Sequence, residues 1–171
     1  MQPTVRPSAP IDRAALRADL EATHRAFGDL VASIDERGMQ RRSAATAWTN
    51  CQVLQHVVDA LARLPTEIDH ARRGRDFLNP PPWLLPLMPR VNWFITWWNA
   101  RGQTPARVLA GYEAAHRAAL AAIDGVRDDE WQLGARYFGE GHRTILELCE
   151  TPNIARARWV RELAATCVMG G

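Results

Sequence analysis

The chain of 171 residues contains no lysine, and all 21 of its basic side chains are arginine. These arginines are scattered among 19 acidic residues, and the formal net charge is only +2. No continuous basic stripe is present that could follow a phosphate backbone. We therefore expect no nucleic-acid partner.

Cysteine and long apolar runs are also scarce. The three cysteines, Cys51, Cys149 and Cys167, form no C-x-x-C spacing, which excludes a disulfide scaffold and a cysteine-based zinc site. The most apolar stretch, residues 83–98, is interrupted by two prolines and an arginine and is not a membrane span. These absences predict a cytoplasmic protein without a membrane partner.

The remaining composition is that of a globular protein, with 47% apolar and 23% charged residues. Residues 1–10 carry three prolines and no periodic apolar pattern, so they are predicted to form a flexible N-terminal arm. Residues 11–171 then form a single domain of ordinary size.

Four segments combine apolar residues at helical spacing with recognisable end signals. The predicted helices span residues 12–37, 50–74, 105–123 and 145–167. Gly38 is expected to end the first helix in a left-handed conformation. Thr49 with Gln52, and Thr144 with Glu147, are spaced as capping boxes. No strand pattern of comparable length appears, so the prediction is an all-α four-helix bundle.

An unusual segment rich in proline and tryptophan separates the second and third predicted helices. It is interpreted as an irregular crossover followed by a short helix over residues 90–100. Trp93 and Trp97 lie on one side of that helix, and Phe94 and Trp98 lie on another. Three interpretations stay open for these rings, namely a plug in the core, a lid over a ligand pocket and a dimer contact.

Helical spacing distinguishes three of the five histidines. His116 falls in the middle of the apolar stripe of the third predicted helix and should face the core. His24 and His56 lie at the edges of the stripes of the first and second helices. A buried imidazole needs a partner, so His116 is either a structural residue or a pocket group.

Several short motifs occur in the order and spacing of a known family. They are AWTNCQVLQHVVDAL at residues 47–61, Trp98 to Arg101, VLAGYEAAHRAALAAI in the third predicted helix, Asp128 to Trp131, and Thr144 to Leu148. Together they touch most of the chain beyond the arm. With these motifs the chain resembles the DinB-like superfamily, which includes the mycothiol-dependent maleylpyruvate isomerases.

The resemblance implies a four-helix bundle, often dimeric, that holds a divalent metal with one histidine on helix 2 and two ligands on helix 4. His56 matches the first ligand. The positions that correspond to the others are Ala155 and Trp159, and a frequent upstream histidine corresponds to Thr151. Neither Ala155 nor Trp159 donates a lone pair to a metal, and the Trp159 indole should occupy the space of the ion. We therefore expect no metal at the family's position. A substitute trio of His24, His56 and His116 is a minor alternative.

Two functions remain open at this point. The first is a metal-independent small-molecule enzyme of isomerase, thiol-transferase or hydrolase type, in which His56 provides acid-base chemistry and His116 or Tyr112 assists. The second is a non-catalytic protein that binds or sequesters an apolar or thiol-linked metabolite. In either case a low-molecular-weight thiol is a candidate cofactor, and a homodimer is the default assembly. The candidate ligand-binding residues are Trp93, Trp97, Trp98, Arg101, Trp159 and His24.

Overall fold

The computed structural model describes residues 11–43, 46–77, 80–137 and 141–150. The predicted arm at residues 1–10 and the predicted fourth helix beyond residue 150 lie outside the described residues. Trp159, Ala155 and Thr151 belong to that last part. Their expected effect on the metal position therefore stays a prediction.

The described residues are mostly helical, as the sequence predicts. The helices are α1 (Arg13–Ala32), α2 (Glu36–Gln40), α3 (Asn50–Arg72), α4 (Met88–Asn99) and α5 (Pro105–Asp124), with a 3-10 helix at Pro82–Leu87 before α4 and helical residues 145–150 at the end of the described part. None of the described helices is both long and apolar enough to cross a membrane.

Side-chain caps begin the major helices where the sequence places them. The Thr49 hydroxyl accepts a hydrogen bond from the Gln52 amide, and the Gln52 side chain accepts one from the Thr49 amide, so the capping box of α3 is complete. At the start of the helical residues 145–150, the Thr144 hydroxyl accepts a hydrogen bond from the Glu147 amide, and the Glu147 carboxylate accepts one from the Thr144 amide. Thr104 caps α5 directly before Pro105. These local signals fix the starts of three helices.

The predicted end of the first helix is wrong. α1 stops at Ala32, and a separate short helix, α2, follows with Asp35 as its cap. The Asp35 carboxylate accepts a hydrogen bond from the Gly38 amide at 2.6 Å, so Gly38 lies inside α2 instead of forming a left-handed stop. The apolar spacing of Val31 and Ile34 continues across the break, which is why periodicity alone did not reveal it.

A small antiparallel strand pair was also missed. β1 (Gly134–Arg136) pairs with β2 (His142–Thr144), with Gly134 opposite Thr144. A side chain at Gly134 would place its Cβ atom within 2.3 Å of the Arg143 carbonyl oxygen, so the pairing requires glycine there. Strands of three residues are too short to show an alternating pattern.

The core forms around α3, which packs against α5 and α4, while α1 packs against α5. Its largest fully buried side chains come from α1, α2, α3, α5 and the segments that follow α5. They are Leu20, Phe27, Met39, Leu54, Leu61, Leu64, Ile68, Tyr112, Ile123, Trp131 and Ile145. The apolar stripes predicted for these helices thus converge on one core.

The aromatic residues of α4 do not plug this core. The exposed fraction is 46% for Trp93, 52% for Phe94, 37% for Trp97 and 58% for Trp98. Only Thr96 is buried within α4, followed by Ala100 at its end. The interpretation as a core plug is therefore wrong, and the interpretations as a lid over a ligand pocket and as a dimer contact stay predictions.

Candidate functional site

A cavity of about 470 Å³ opens between the start of α3 and the end of α4. A volume of this size suits a small metabolite. The cavity is lined by Gln40, Arg42, Ala47, Thr49, Cys51, Gln52, Trp93, Trp97, Ala100, Arg101 and Gly102. We call it the Arg-Trp cavity. It contains three of the predicted ligand-binding residues, whereas Arg42 was not predicted to be part of a site.

The charge of the Arg-Trp cavity is positive. Arg42 and Arg101 are its charged residues, and no acidic side chain is among the described residues that line it. The Arg101 guanidinium carbon lies 5.1 Å from the centre of the Trp97 ring and 5.3 Å from that of Trp98. The Arg42 side chain forms no hydrogen bond or ion pair with any residue that the structure describes. The cavity therefore presents cationic charge to a ligand.

Cys51 is the thiol of this cavity. Its sulfur donates a hydrogen bond to the Ala100 carbonyl oxygen at 3.4 Å, and burial raises the pKa of the thiol. A raised pKa keeps cysteine protonated at neutral pH, and the thiol is a weak nucleophile in that state. Cys51 therefore forms part of the wall and does not have the character of a reactive cysteine.

A second cluster joins α1 to α5 through aromatic rings. His24 stacks on His116 with ring centres 4.3 Å apart and planes 12° from parallel. Tyr112 stacks on Phe27 at 3.9 Å and lies 5.9 Å from His24. His116 is only 4% exposed, which confirms that it faces the core. The structure thus brings together His24, Tyr112 and His116, three of the predicted site residues.

Two carboxylates surround these rings, and the sequence analysis identified neither. The Nε2 atom of His24 lies 2.8 Å from Glu113 Oε1, and the Nε2 atom of His116 lies 3.5 Å from Glu21 Oε1. Burial lowers the pKa of His116, and the nearby His24 lowers it further, against the opposing effect of Glu21. An imidazole in this state is neutral at neutral pH.

His56 lies apart from both groups. It is half-buried, and its ring meets Trp48 edge to face with centres 5.1 Å apart. Burial is the main cause that lowers the pKa of His56, and Arg63 adds to it. His56 does not line the Arg-Trp cavity.

The substitute trio of His24, His56 and His116 is not supported. Among the described residues, the one group of three metal-ligating side chains consists of Glu21, His24 and His116. His56 has no two further donors close enough to share an ion with it in the part of the chain that the structure describes. Two of the three positions of the family's metal ligands, Ala155 and Trp159, lie outside the described residues, so the absence of that metal stays a prediction.

The described residues form a helical bundle with a cavity between the start of α3 and the end of α4. The family model of the DinB superfamily matches residues 19–151, and the chain belongs to this superfamily. The crystal structure of the mycothiol-dependent maleylpyruvate isomerase is similar, with a TM-score of 0.64 and 11% sequence identity over 92% of this chain. The chain spans 60% of that protein's length. No curated protein sequence matches the chain significantly.

Proposed function

We propose that the Arg-Trp cavity binds a small organic anion with an apolar body, such as a thiol-linked or aromatic carboxylate. The observation that carries this proposal is the pair Arg42 and Arg101, which line one cavity without an acidic residue among its described lining. Arginine binds carboxylates through charge-assisted hydrogen bonds, often with two parallel contacts. An anion would supply the partner that the described residues do not provide for Arg42.

The aromatic walls support an apolar body for this ligand. Trp93 and Trp97 lie side by side, with ring centres 6.2 Å apart and planes 11° from parallel. Ligand sites typically combine such aromatic surface with a few polar groups that fix the orientation. The polar side chains of Gln52 and Thr49 already bond to each other's backbone amides in the capping box of α3. The two arginines are therefore the main polar groups of the cavity that can recognise a ligand.

Titration with a charged and an uncharged probe of equal shape tests this proposal. Phenylacetate and phenylacetamide differ in charge but share the aromatic ring, and tryptophan fluorescence reports their binding. We expect phenylacetate to bind at least about tenfold more tightly, which is the effect of one charge-assisted contact. Equal affinities, or tighter binding of the amide, would contradict an anion site.

Catalysis is a second candidate function. It is supported by membership of the DinB superfamily, by the likeness to an isomerase, and by the lowered pKa of His56, which favours the neutral imidazole that accepts protons. In this proposal His56 acts as the base, and His116 or Tyr112 assists in an isomerase, thiol-transferase or hydrolase reaction. The Arg-Trp cavity itself supplies no histidine among its described lining, so binding is the better supported function.

The variant His56→Ala separates the two candidates. If the protein is an enzyme that uses His56, turnover of a bound substrate should fall by about 100-fold or more while affinity stays within a factor of a few. If the protein only binds, neither wild type nor variant should show turnover, and both should have the same affinity. Undiminished turnover in the variant would exclude His56 from the mechanism.

The cofactor, the assembly and the location of the protein are also proposals. We propose that the reaction or binding needs no metal at the family's position, and that a low-molecular-weight thiol is the candidate cofactor. We further propose a cytoplasmic homodimer that has neither a nucleic-acid nor a membrane partner. The near balance of 21 basic and 19 acidic residues supports the absence of a nucleic-acid partner, and the exposed aromatic rings of α4 support the dimer.

A further inference from the structure

Three side chains with metal-binding chemistry meet where α1 faces α5. One donor atom each from Glu21, His24 and His116 lies within 4.8 Å of the other two. Glu21 and His24 are three residues apart, so both lie on the face of α1 that meets α5. None of the three lines the Arg-Trp cavity or corresponds to a metal ligand of the DinB-like family.

The distances within this group are close to those of a coordinated ion. His116 Nε2 lies 3.5 Å from Glu21 Oε1, and His24 Nδ1 lies 4.0 Å from Glu21 Oε2. Zinc bonds of about 2.0–2.1 Å in a tetrahedron place ligand atoms roughly 3.3 Å apart. The Glu21 side chain is 42% exposed, so it can move by the small distance that remains.

Glu113 prepares His24 for this role. Its carboxylate lies 2.8 Å from His24 Nε2, so the proton of a neutral ring is held at Nε2 and the lone pair is left on Nδ1. This Nδ1 atom is the one that lies 4.0 Å from Glu21 Oε2. A carboxylate behind a metal-binding histidine orients the ring and increases its basicity.

His116 is the buried member of this group. Its side chain is only 5% exposed, and its Nδ1 atom is buried without a hydrogen-bond partner among the described residues. Its Nε2 atom faces the Glu21 carboxylate at 3.5 Å, and its ring is otherwise stacked on His24 and Tyr112. Because a ring nitrogen binds a metal in the plane of the ring, the nearly parallel rings of His24 and His116 must turn to converge on one ion.

We propose that Glu21, His24 and His116 form a site for a zinc-class divalent cation that links α1 to α5. Two imidazoles and one carboxylate favour zinc and its neighbours over calcium or magnesium, which prefer oxygen ligands. The site is partly open to solvent through Glu21, which leaves a fourth position for water. This site goes beyond the proposed function, because neither the Arg-Trp cavity nor His56 takes part in it, whereas a bound ion would occupy His116.

Calorimetric titration of the untagged, metal-free protein with zinc chloride tests the site. We expect one equivalent of zinc to bind, and binding to weaken about 100-fold or more in His24→Gln and His116→Asn. His142→Gln is the matched control, since His142 is an exposed histidine on β2 and should leave the affinity unchanged. Absence of zinc binding in the wild type, or wild-type affinity in both variants, would overturn the proposal.

Two further variants keep the test decisive if a core histidine variant fails to fold. Glu21→Gln changes a partly exposed residue and should also abolish the site, while Glu113→Gln should weaken binding by about 10–100-fold through His24. Cobalt(II) in place of zinc should give the strong visible absorption of a tetrahedral site in the wild type and not in Glu21→Gln. If His56→Gln abolishes binding and Glu21→Gln does not, the ion lies at the family's histidine and the proposal is wrong.

Discussion

Arg101 lies over the face of Trp97, with its guanidinium carbon 5.1 Å from the ring centre. This contact holds a flexible cation in a fixed position beside the Arg-Trp cavity without neutralising its charge. An arginine that is positioned in advance loses less conformational freedom when an anion binds. The affinity for an anionic ligand should therefore be most sensitive to mutation at this stacked pair.

We predict that Arg101→Met weakens the binding of phenylacetate by about tenfold or more, because the charge is lost while much of the apolar contact is kept. The affinity for phenylacetamide should change little. Arg117→Met is the control, because it removes an exposed arginine of α5 that does not line the cavity. Fluorescence titration measures the affinity for each probe in the wild type and in the two variants. Equal losses for the two probes would mean that Arg101 contributes shape alone.

The core makes a separate prediction about stability. Leu61 on α3 is fully buried, so Leu61→Ala removes apolar contact and leaves a cavity that the surrounding side chains fill only in part. We expect the free energy of unfolding to fall by about 2–5 kcal/mol. Leu133→Ala is the matched control, because Leu133 is 41% exposed and its truncation should cost much less. Urea unfolding followed by circular dichroism measures both values, and similar losses would contradict the assignment of the core.

The local part of this fold was predictable because its signals are short in sequence. The capping boxes at Thr49 and Thr144 each depend on residues three positions apart, and both form as expected. The inward direction of His116 likewise follows from helical spacing alone. The break at Ser33 was missed because the apolar spacing continues through it, and Gly38 was then given the wrong role.

The site was less predictable because it depends on which helices become neighbours. The sequence singled out His24 and His116 but grouped them with His56, since nothing local shows that α1 faces α5 at these residues. Glu21 and Glu113 were not predicted as site residues, because only the packing of α1 against α5 brings their carboxylates to the two histidines. Arg42 is one of many arginines, and only its position in the lining of the Arg-Trp cavity distinguishes it.

The exposed rings of α4 lead to a prediction about assembly. Phe94 is 52% exposed and lies next to Trp97 and Trp98 but does not line the Arg-Trp cavity. If the chain forms the proposed homodimer through this surface, Phe94→Asp should weaken dimerisation by more than about tenfold, since a charge would be buried at an aromatic contact. Ligand affinity should be kept. Sedimentation velocity measures the change, and an unchanged dimer would place the interface elsewhere.

The last prediction concerns Glu130, which ties the end of α3 to the segment after α5. Its carboxylate is 7% exposed and accepts hydrogen bonds from the Arg127 amide at 2.9 Å and from Arg72 Nε at 3.1 Å. The Arg127 amide, followed by the charges of Arg72 and Arg127, lowers the pKa of Glu130 below its ordinary value of 4.5. A lowered pKa means that the folded state favours the ionised carboxylate.

It follows that Glu130 stabilises the fold above the ordinary glutamate pKa and that this contribution disappears as the pH falls through the lower pKa of the folded state. We expect Glu130→Gln to be less stable than the wild type at pH 7, and the difference to shrink progressively in acid below a pH of about 4.5. Glu36→Gln is the control, because it removes an exposed acid of α2 that has no hydrogen bond or ion pair with a described residue. Urea unfolding at a series of pH values measures the difference for each variant. A difference for Glu130→Gln that stays constant from neutral to acid pH would show that the ionised carboxylate is not what holds these segments together.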